Sequence, residues 1–295
     1  GEIMDKLYSP STMAKIREKH GFRHSKSLGQ NFLSDIHIIE DIVDGSDIEP
    51  EDLVIEIGPG MGVLTAAAAE RAGKVIAVEI DKKLIPILKE TLAEYDNIEI
   101  INADIMKTDL TEIVEANRPA DGGKVRVIGN LPYYITTPII MKLLEESVPA
   151  DSITIMMQKE VADRIKAGPG GKDYGALTVA VGFYCTITHV ADAPKEVFVP
   201  RPKVDSTVIR LDLRKECPVD LIDQKIFFET VKGGFGQRRK TLLNSLTGVR
   251  GLPKPEIADA LDAAGIDPKR RAETLSLDEF AAVANEIARR ALNRQ

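Results

Sequence analysis

Five short apolar runs, each followed by a segment long enough for a helix, restrict this chain to one kind of architecture. They lie at residues 53–57, 74–78, 98–101, 125–129 and 153–157. Strands separated by helix-length connections predict an α/β protein, with a Rossmann-like parallel sheet covered by helices on both faces. Sheets of this kind bind their ligands beyond the carboxyl ends of the strands. Two further runs, 186–191 and 207–213, extend the pattern, with Pro194, Pro200 and Pro202 between them. After Cys217-Pro218 short helices replace the alternation, so residues 1–216 and 217–295 are expected as separate domains, the second small and all-helical. Gly265 is expected as a helix C-cap, and Ser276-Leu277-Asp278-Glu279 as a capping box.

The run at 125–129 ends in Asn130-Leu131-Pro132-Tyr133. Pro132 has no N–H and cannot continue a central strand, so the chain leaves the sheet there and Asn130 falls at the ligand-binding edge. An Asn amide, a free carbonyl at Leu131 and the face of Tyr133 can grip a planar nitrogen base. A strand-ending turn with a packed tyrosine would have the same sequence. Tyr134 is expected in the core.

The first run leads into Gly58-Pro59-Gly60-Met61-Gly62. A dinucleotide fingerprint would need its third glycine at Val63, and no phosphate-binding G-x-x-x-x-G-K-[ST] loop is present. NAD, FAD and triphosphate hydrolysis are therefore disfavoured. Glu79, at the end of the second run, can accept the hydroxyls of a ribose. Asp104, after the third, can accept from an adenine amine. Glycine loop, ribose acid and adenine acid in that order describe a nucleoside cofactor, and S-adenosylmethionine fits best.

The 295 residues carry a formal net charge of −7, which as an average argues against a nucleic-acid partner. Local patches decide such binding, however. Residues 231–250 contain Lys232, Arg238, Arg239, Lys240 and Arg250 with no acidic residue. Gly233, Gly234 and Gly236 are expected to open that stretch to phosphates; a solvated helix face is the plainer alternative. Residues 8–26 are also mostly basic and read as a solvated arm, with a nucleic-acid contact as the sharper alternative. Two cysteines and four histidines without ligand-like spacing predict no metal, and a reducing cytoplasm is expected. No apolar run approaches the roughly 18 residues of a membrane span.

With these residues in view, the chain resembles the ribosomal RNA adenine N6-dimethyltransferases over about residues 26–280. The resemblance rests on Leu28-Gly29-Gln30-Asn31-Phe32-Leu33, Glu56-Ile57-Gly58-Pro59-Gly60, Asn130-Leu131-Pro132-Tyr133, Gln158-Lys159-Glu160 and the stretch from Phe198 to Ser206 that contains Lys203. The second motif is common to many methyltransferases; the others together are specific. Arg201 stands where related chains often carry an apolar residue or proline. Phe235-Gly236-Gln237-Arg238-Arg239-Lys240, together with Gly265-Ile266-Asp267-Pro268 and the longer helical tail, is similar to the bacterial small-subunit branch rather than to the large-subunit resistance enzymes.

The resemblance implies dimethylation, from S-adenosylmethionine with S-adenosylhomocysteine as product, of two adjacent adenosines near the 3′ end of 16S rRNA in the immature small subunit. It also places Asn31, Leu33, Gly58, Glu79, Asp104 and Asn130 around the cofactor. Gly60, Gln30, Ile80 and Ile105, neighbours of these residues, are expected in the same site. Asn130, Leu131, Pro132 and Tyr133 would hold the base, with Phe198 closing its other face. Lys203, Lys232, Arg238, Arg239 and Lys240 would meet RNA. A monomer is expected. An assembly factor that mainly binds the subunit, and a DNA adenine methyltransferase, are the competing readings; the latter usually has proline at the position of Leu131.

Overall fold

The computed structural model describes residues 7, 9–120 and 122–294; residues 1–6 and Tyr8 of the expected arm lie outside them. The chain forms two compact units. One contains residues up to 162 together with 186–213, and the other contains 163–185 with 214 onward. The expected boundary at 216/217 lies three residues after the observed one at 213/214, and residues 163–185, expected in the first domain, belong to the second unit instead.

Nine strands occur among the described residues: β1 (Phe32–Leu33), β2 (Leu53–Ile57), β3 (Lys74–Glu79), β4 (Ile98–Asn102), β5 (Val125–Asn130), β6 (Ser152–Gln158), β7 (Cys185–Ala193), β8 (Phe198–Val199) and β9 (Ser206–Leu213). Seven form one sheet in the order β4-β3-β2-β5-β6-β9-β7, and β1 pairs with β8 in a separate two-stranded ribbon. β4, β3, β2, β5 and β6 are parallel, while β9 runs antiparallel to β6. Every residue of β2 is buried, and so are all of β3 but Lys74 and all of β5 but Asn130. A sheet covered on both faces buries both sets of alternating side chains, which is why these strands read as continuous apolar runs.

From β2 the chain crosses to β3 on one side and β5 lies on the other, so the strand order reverses between β2 and β5. Ile57 pairs with Gly129 at that point. The crevice beyond these two residues is the topological switch point, where ligands of open α/β sheets bind.

The basic N-terminal stretch is a helix rather than a solvated arm from Pro10 to Lys19. Proline is pre-set for the first helical turn, and Met13 is wholly buried on the inner face. Lys19 and His20 meet Glu90. Helix Ala176–Tyr184 has no counterpart in the sequence reading. It is almost entirely apolar, so it lacks the polar face that makes a helix visible as a period.

In the second unit, Tyr174, Phe183, Phe227, Leu242, Leu261, Phe280 and Ile287 share one apolar cluster. Segment 163–185 is tied into this unit by the Tyr174 hydroxyl donating to the Leu275 carbonyl at 2.6 Å and Gly170 N–H donating to Glu273 O at 2.6 Å. Ser276 and Glu279 form a reciprocal capping box, opening helix Leu277–Leu292. Gly265 adopts φ 73° just past helix Lys254–Ala263.

Candidate active site

A cavity open to solvent lies at the switch point in the first unit. Its wall includes Gln30, Asn31, Leu33, Gly58, Gly60, Glu79, Ile80, Asp104, Ile105, Asn130, Leu131, Pro132 and Tyr133. Four strand ends and the N-terminal segment thus converge on one space.

The glycine turn after β2 forms the floor. Gly60 has φ 58°, and a Cβ there would stand 2.9 Å from the Phe32 ring. Gly58 has φ 70°, with the Asn130 carbonyl 3.6 Å from where its Cβ would be. Both positions demand glycine on conformation alone, and their bare backbone lets a ligand approach closely.

Glu79 ends β3 and is 4 % exposed. Its Oε1 accepts from Gly60 N–H at 3.3 Å and its Oε2 from Asp81 N–H at 2.9 Å. Burial pushes its carboxyl up to about 7, the N–H bonds from Asp81 and Gly60 pull it down, and the neighbouring Asp81 charge adds to the rise. Each carboxylate oxygen keeps a further lone pair for a ligand hydroxyl. Asp104 uses Oδ1 to cap the turn Ile105–Lys107, accepting from Met106 N–H at 2.9 Å. Ile105 is buried beside it, an apolar flank for a flat ring.

Asn130 ends β5. Its Nδ2 donates to the Asn31 carbonyl at 3.1 Å, which fixes the amide and leaves Oδ1 as the acceptor. Pro132 turns the chain into the short helical turn Tyr133–Ile135. The Tyr133 hydroxyl shares a 2.5 Å hydrogen bond with Ser206, which holds the half-buried ring in place.

Two expectations need correcting. Tyr134 is not in the core: it is 58 % exposed and lines the cavity. With Tyr133 anchored to Ser206, the next side chain of the tight turn is directed outward. Phe198 does not line the cavity; it is buried in β8 opposite Leu33, in the first unit's core.

Glu56 in the cavity wall, and Asp81 behind it, had no functional reading. Glu56 is wholly buried on β2 and accepts from Thr65 Oγ1. Asp81 is the partner of Gln30: Gln30 Nε2 donates to Asp81 Oδ2 at 2.8 Å while its Oε1 accepts from Ser25 N–H at 2.8 Å. Both ends of the Gln30 amide are thus engaged in holding the N-terminal loop over the cavity. An acid two residues after Glu79 was visible in the sequence, but its partner 51 positions earlier was not.

Burial pushes the Glu56 carboxyl up to about 8; the Thr65 hydroxyl opposes this and the Glu79 charge adds to it. Below the ordinary value of 4.5 both folded and unfolded chains hold the proton. As pH rises from 4.5 towards 8 the unfolded chain releases it first, so this residue makes stability fall with pH. Glu56→Gln stays neutral. In denaturant unfolding it should match the wild type near pH 4 and exceed it at pH 9 by more than about 1 kcal/mol. A difference independent of pH would contradict the assignment.

In the second unit, Lys232, Arg238, Arg239 and Lys240 are exposed. Arg238 donates to the Tyr174 carbonyl at 2.6 Å and lies 5.6 Å over the Phe235 ring, and Arg250 pairs with Glu229 at 2.6 Å. Among the described residues Lys232, Arg239 and Lys240 make no ion pair. Gly233 and Gly234 do not open the stretch to phosphates: a Cβ at Gly233 would stand 2.9 Å from Val249, and one at Gly234 3.2 Å from Ala272. They serve close packing, and Gly236 alone has open space around it. Lys203 is exposed in the first unit.

The model of the family described as "Ribosomal RNA adenine dimethylase" matches residues 21–289. The chain belongs to this family. "Ribosomal RNA small subunit methyltransferase A" of Alkaliphilus metalliredigens is 54 % identical over 288 residues, covering 97 % of this chain and 100 % of the relative. The protein of the same name from Clostridioides difficile is 53 % identical, covering 96 % and 98 %. Among solved structures, a dimethyladenosine transferase from Plasmodium falciparum superposes with a TM-score of 0.73 at 26 % identity, over 85 % of this chain and 95 % of that one. The 23S rRNA methyltransferase ErmE gives 0.66 at 28 % identity, over 87 % and 99 %. Membership in the dimethylase family makes the protein an rRNA adenine methyltransferase, consistent with a switch-point cavity walled by strand-end acids and Asn130. No helix among the described residues is long and apolar enough to cross a membrane.

Proposed function

We propose that this protein transfers methyl groups from S-adenosylmethionine to N6 of two adjacent adenosines in the 3′-terminal hairpin loop of 16S rRNA, in the cytoplasm, as the small subunit matures. The observation that carries the reading is the Asn130 amide, locked by Asn31 in the wall of a cavity that the glycine turn and Glu79 also line. The relatives named for the small subunit favour 16S over 23S rRNA.

The residues present fit the cofactor. Gly58 and Gly60 leave room for it, Glu79 can accept from the ribose hydroxyls, and Asp104 and Ile105 can hold the adenine by acceptor and apolar contact. When bound, S-adenosylmethionine supplies a methyl activated by its sulfonium, which forms the new C–N bond as the S–C bond breaks.

The protein's own task is orientation. The lone pair of adenine N6 is delocalised into the ring, and Asn130 Oδ1 and the Leu131 carbonyl can accept its two hydrogens, aiming nitrogen at the methyl. Holding reacting groups in line can lower a barrier by about 7–11 kcal/mol. Both acceptors are neutral, and no general base is needed, because methylated N6 is acidic enough to give its proton to water. Tyr133, fixed by Ser206, offers a face for the base, and extruding a loop adenine costs a few kcal/mol that this contact helps offset. For the second methyl only one N6 hydrogen remains, so one acceptor suffices. All residues in this scheme come from one chain, and the protein is proposed to act as a monomer.

The second unit is proposed to hold rRNA through Lys232, Arg238, Arg239 and Lys240, with Lys203 contributing from the first. Phosphate contacts set register and carry the salt dependence of binding. The triple charge-neutral variant of Arg238, Arg239 and Lys240 should bind small subunits more weakly and lower the slope of log affinity against log salt by about 2–3. Identical slopes would remove this patch from the interface. Arg238 is half-committed to Tyr174 and Phe235, so most of the change should come from Arg239 and Lys240.

The function is tested in cells lacking their own 16S dimethylase. N6-dimethyladenine cannot present an N6–H for pairing and arrests reverse transcription. Expression of this protein should create arrests at two adjacent adenosines of 16S rRNA. Arrests confined to 23S rRNA would overturn the substrate assignment.

A further inference from the structure

We propose that Tyr134 is the stacking platform for the nucleotide beside the extruded adenosine, which makes it a specificity-determining residue; this rests on the function proposed above. The paired tyrosines divide the work. Tyr133 is half-buried and tethered to Ser206, whereas Tyr134 turns its ring out at the cavity wall with 58 % of its surface exposed. Among the described residues of the cavity wall, only Ile80, at 46 %, is another exposed large apolar side chain.

The ring is supported from behind. A Cβ at Gly29 would lie 3.3 Å from Tyr134 Cδ1 and 3.5 Å from its Cε1, so the loop backbone at Gly29 backs one side of the ring. That loop is itself fastened, through Gln30 to Asp81 and through Asn31 to Asn130. An exposed aromatic ring on a fixed support, in the wall of a cavity that admits a base, is the arrangement by which proteins stack single-stranded bases. When one of two adjacent adenosines enters towards Asn130, its neighbour remains one sugar–phosphate step away, outside the mouth, where the Tyr134 ring is open. The surface is apolar and flat, so it recognises a base by its π-face rather than by its edge, and a purine stacks best.

The test uses single-turnover methyl transfer to unmethylated small subunits. Tyr134→Ala should lower kcat/KM by about 5- to 100-fold, the loss expected for one base–aromatic stack. Tyr134→Phe should restore the rate and Tyr134→Leu should not, while cofactor affinity and thermal midpoint stay at wild-type values for all three. Small subunits reconstituted with an abasic nucleotide at the neighbouring adenosine should slow the wild type by a similar factor and should slow Tyr134→Ala no further. Restoration by leucine, or losses that multiply on the abasic substrate, would overturn the proposal and leave Tyr134 a packing residue. A wild type that leaves intact small subunits unmethylated would instead overturn the function on which the proposal rests.

Discussion

Asn130→Ala is expected to lower kcat for methyl transfer by about 100-fold or more while the affinity for small subunits stays within a factor of a few. The reason lies in what the side chain holds. Its Nδ2 is bonded to Asn31 O, so Oδ1 is presented without a rotamer search. Alanine removes the acceptor and also the tie to the N-terminal loop, and a misplacement of about 1 Å at the reacting atoms is enough for a loss of this size. Asn130→Asp separates the two effects. It keeps acceptor oxygens but cannot donate to Asn31, so it should fall between alanine and the wild type. Rapid-quench measurement of labelled product, with cofactor binding followed by calorimetry, checks both variants. An alanine variant with wild-type kcat would show that N6 is oriented elsewhere.

The second large effect is at Glu79. Glu79→Ala should weaken cofactor binding by about 100-fold, since two hydrogen bonds to a charged group contribute about 1.5–3 kcal/mol each and are partly replaced by water. The pH dependence gives a sharper signature. Burial raises the carboxyl to about 7, and only the ionised form accepts from both ribose hydroxyls. Wild-type affinity should therefore rise as pH increases through 7 and fall below it, with a proton released on binding. Glu79→Gln cannot titrate. It should bind weakly at every pH with little slope, as isothermal titration at pH 6 and pH 8 would show; a parallel slope in the two proteins would point to another ionising group.

Much of this was legible from spacing. Four of the five apolar runs, β2, β3, β5 and β6, are legible because strands buried on both faces have no polar alternation to confuse, and the edge strand β4 follows from its apolar run and spacing. The acids at strand ends 79 and 104 and the amide at 130 meet because parallel strands all point the same way. Less legible were features set by contacts between distant residues. The exposure of Tyr134 could not be read from its place beside Tyr133, because the Ser206 bond that anchors Tyr133 joins residues 73 positions apart. Phe198 sits in a suggestive proline-rich motif, yet pairing with Leu33 draws it into the core. Gly233 and Gly234 look like a phosphate loop and are instead close helix contacts. The N-terminal basic stretch hid a helix whose inner face is anchored by one fully buried methionine, Met13.

The most direct measurement is methyl transfer from labelled S-adenosylmethionine to purified, unmethylated small subunits, with the product rRNA digested to nucleosides and weighed. Four methyls per subunit are expected, all as N6-dimethyladenosine at two adjacent positions of 16S rRNA, and almost none with Asn130→Ala within the same reaction time. Label on large-subunit RNA alone, or at any atom other than adenine N6, would contradict the proposed reaction.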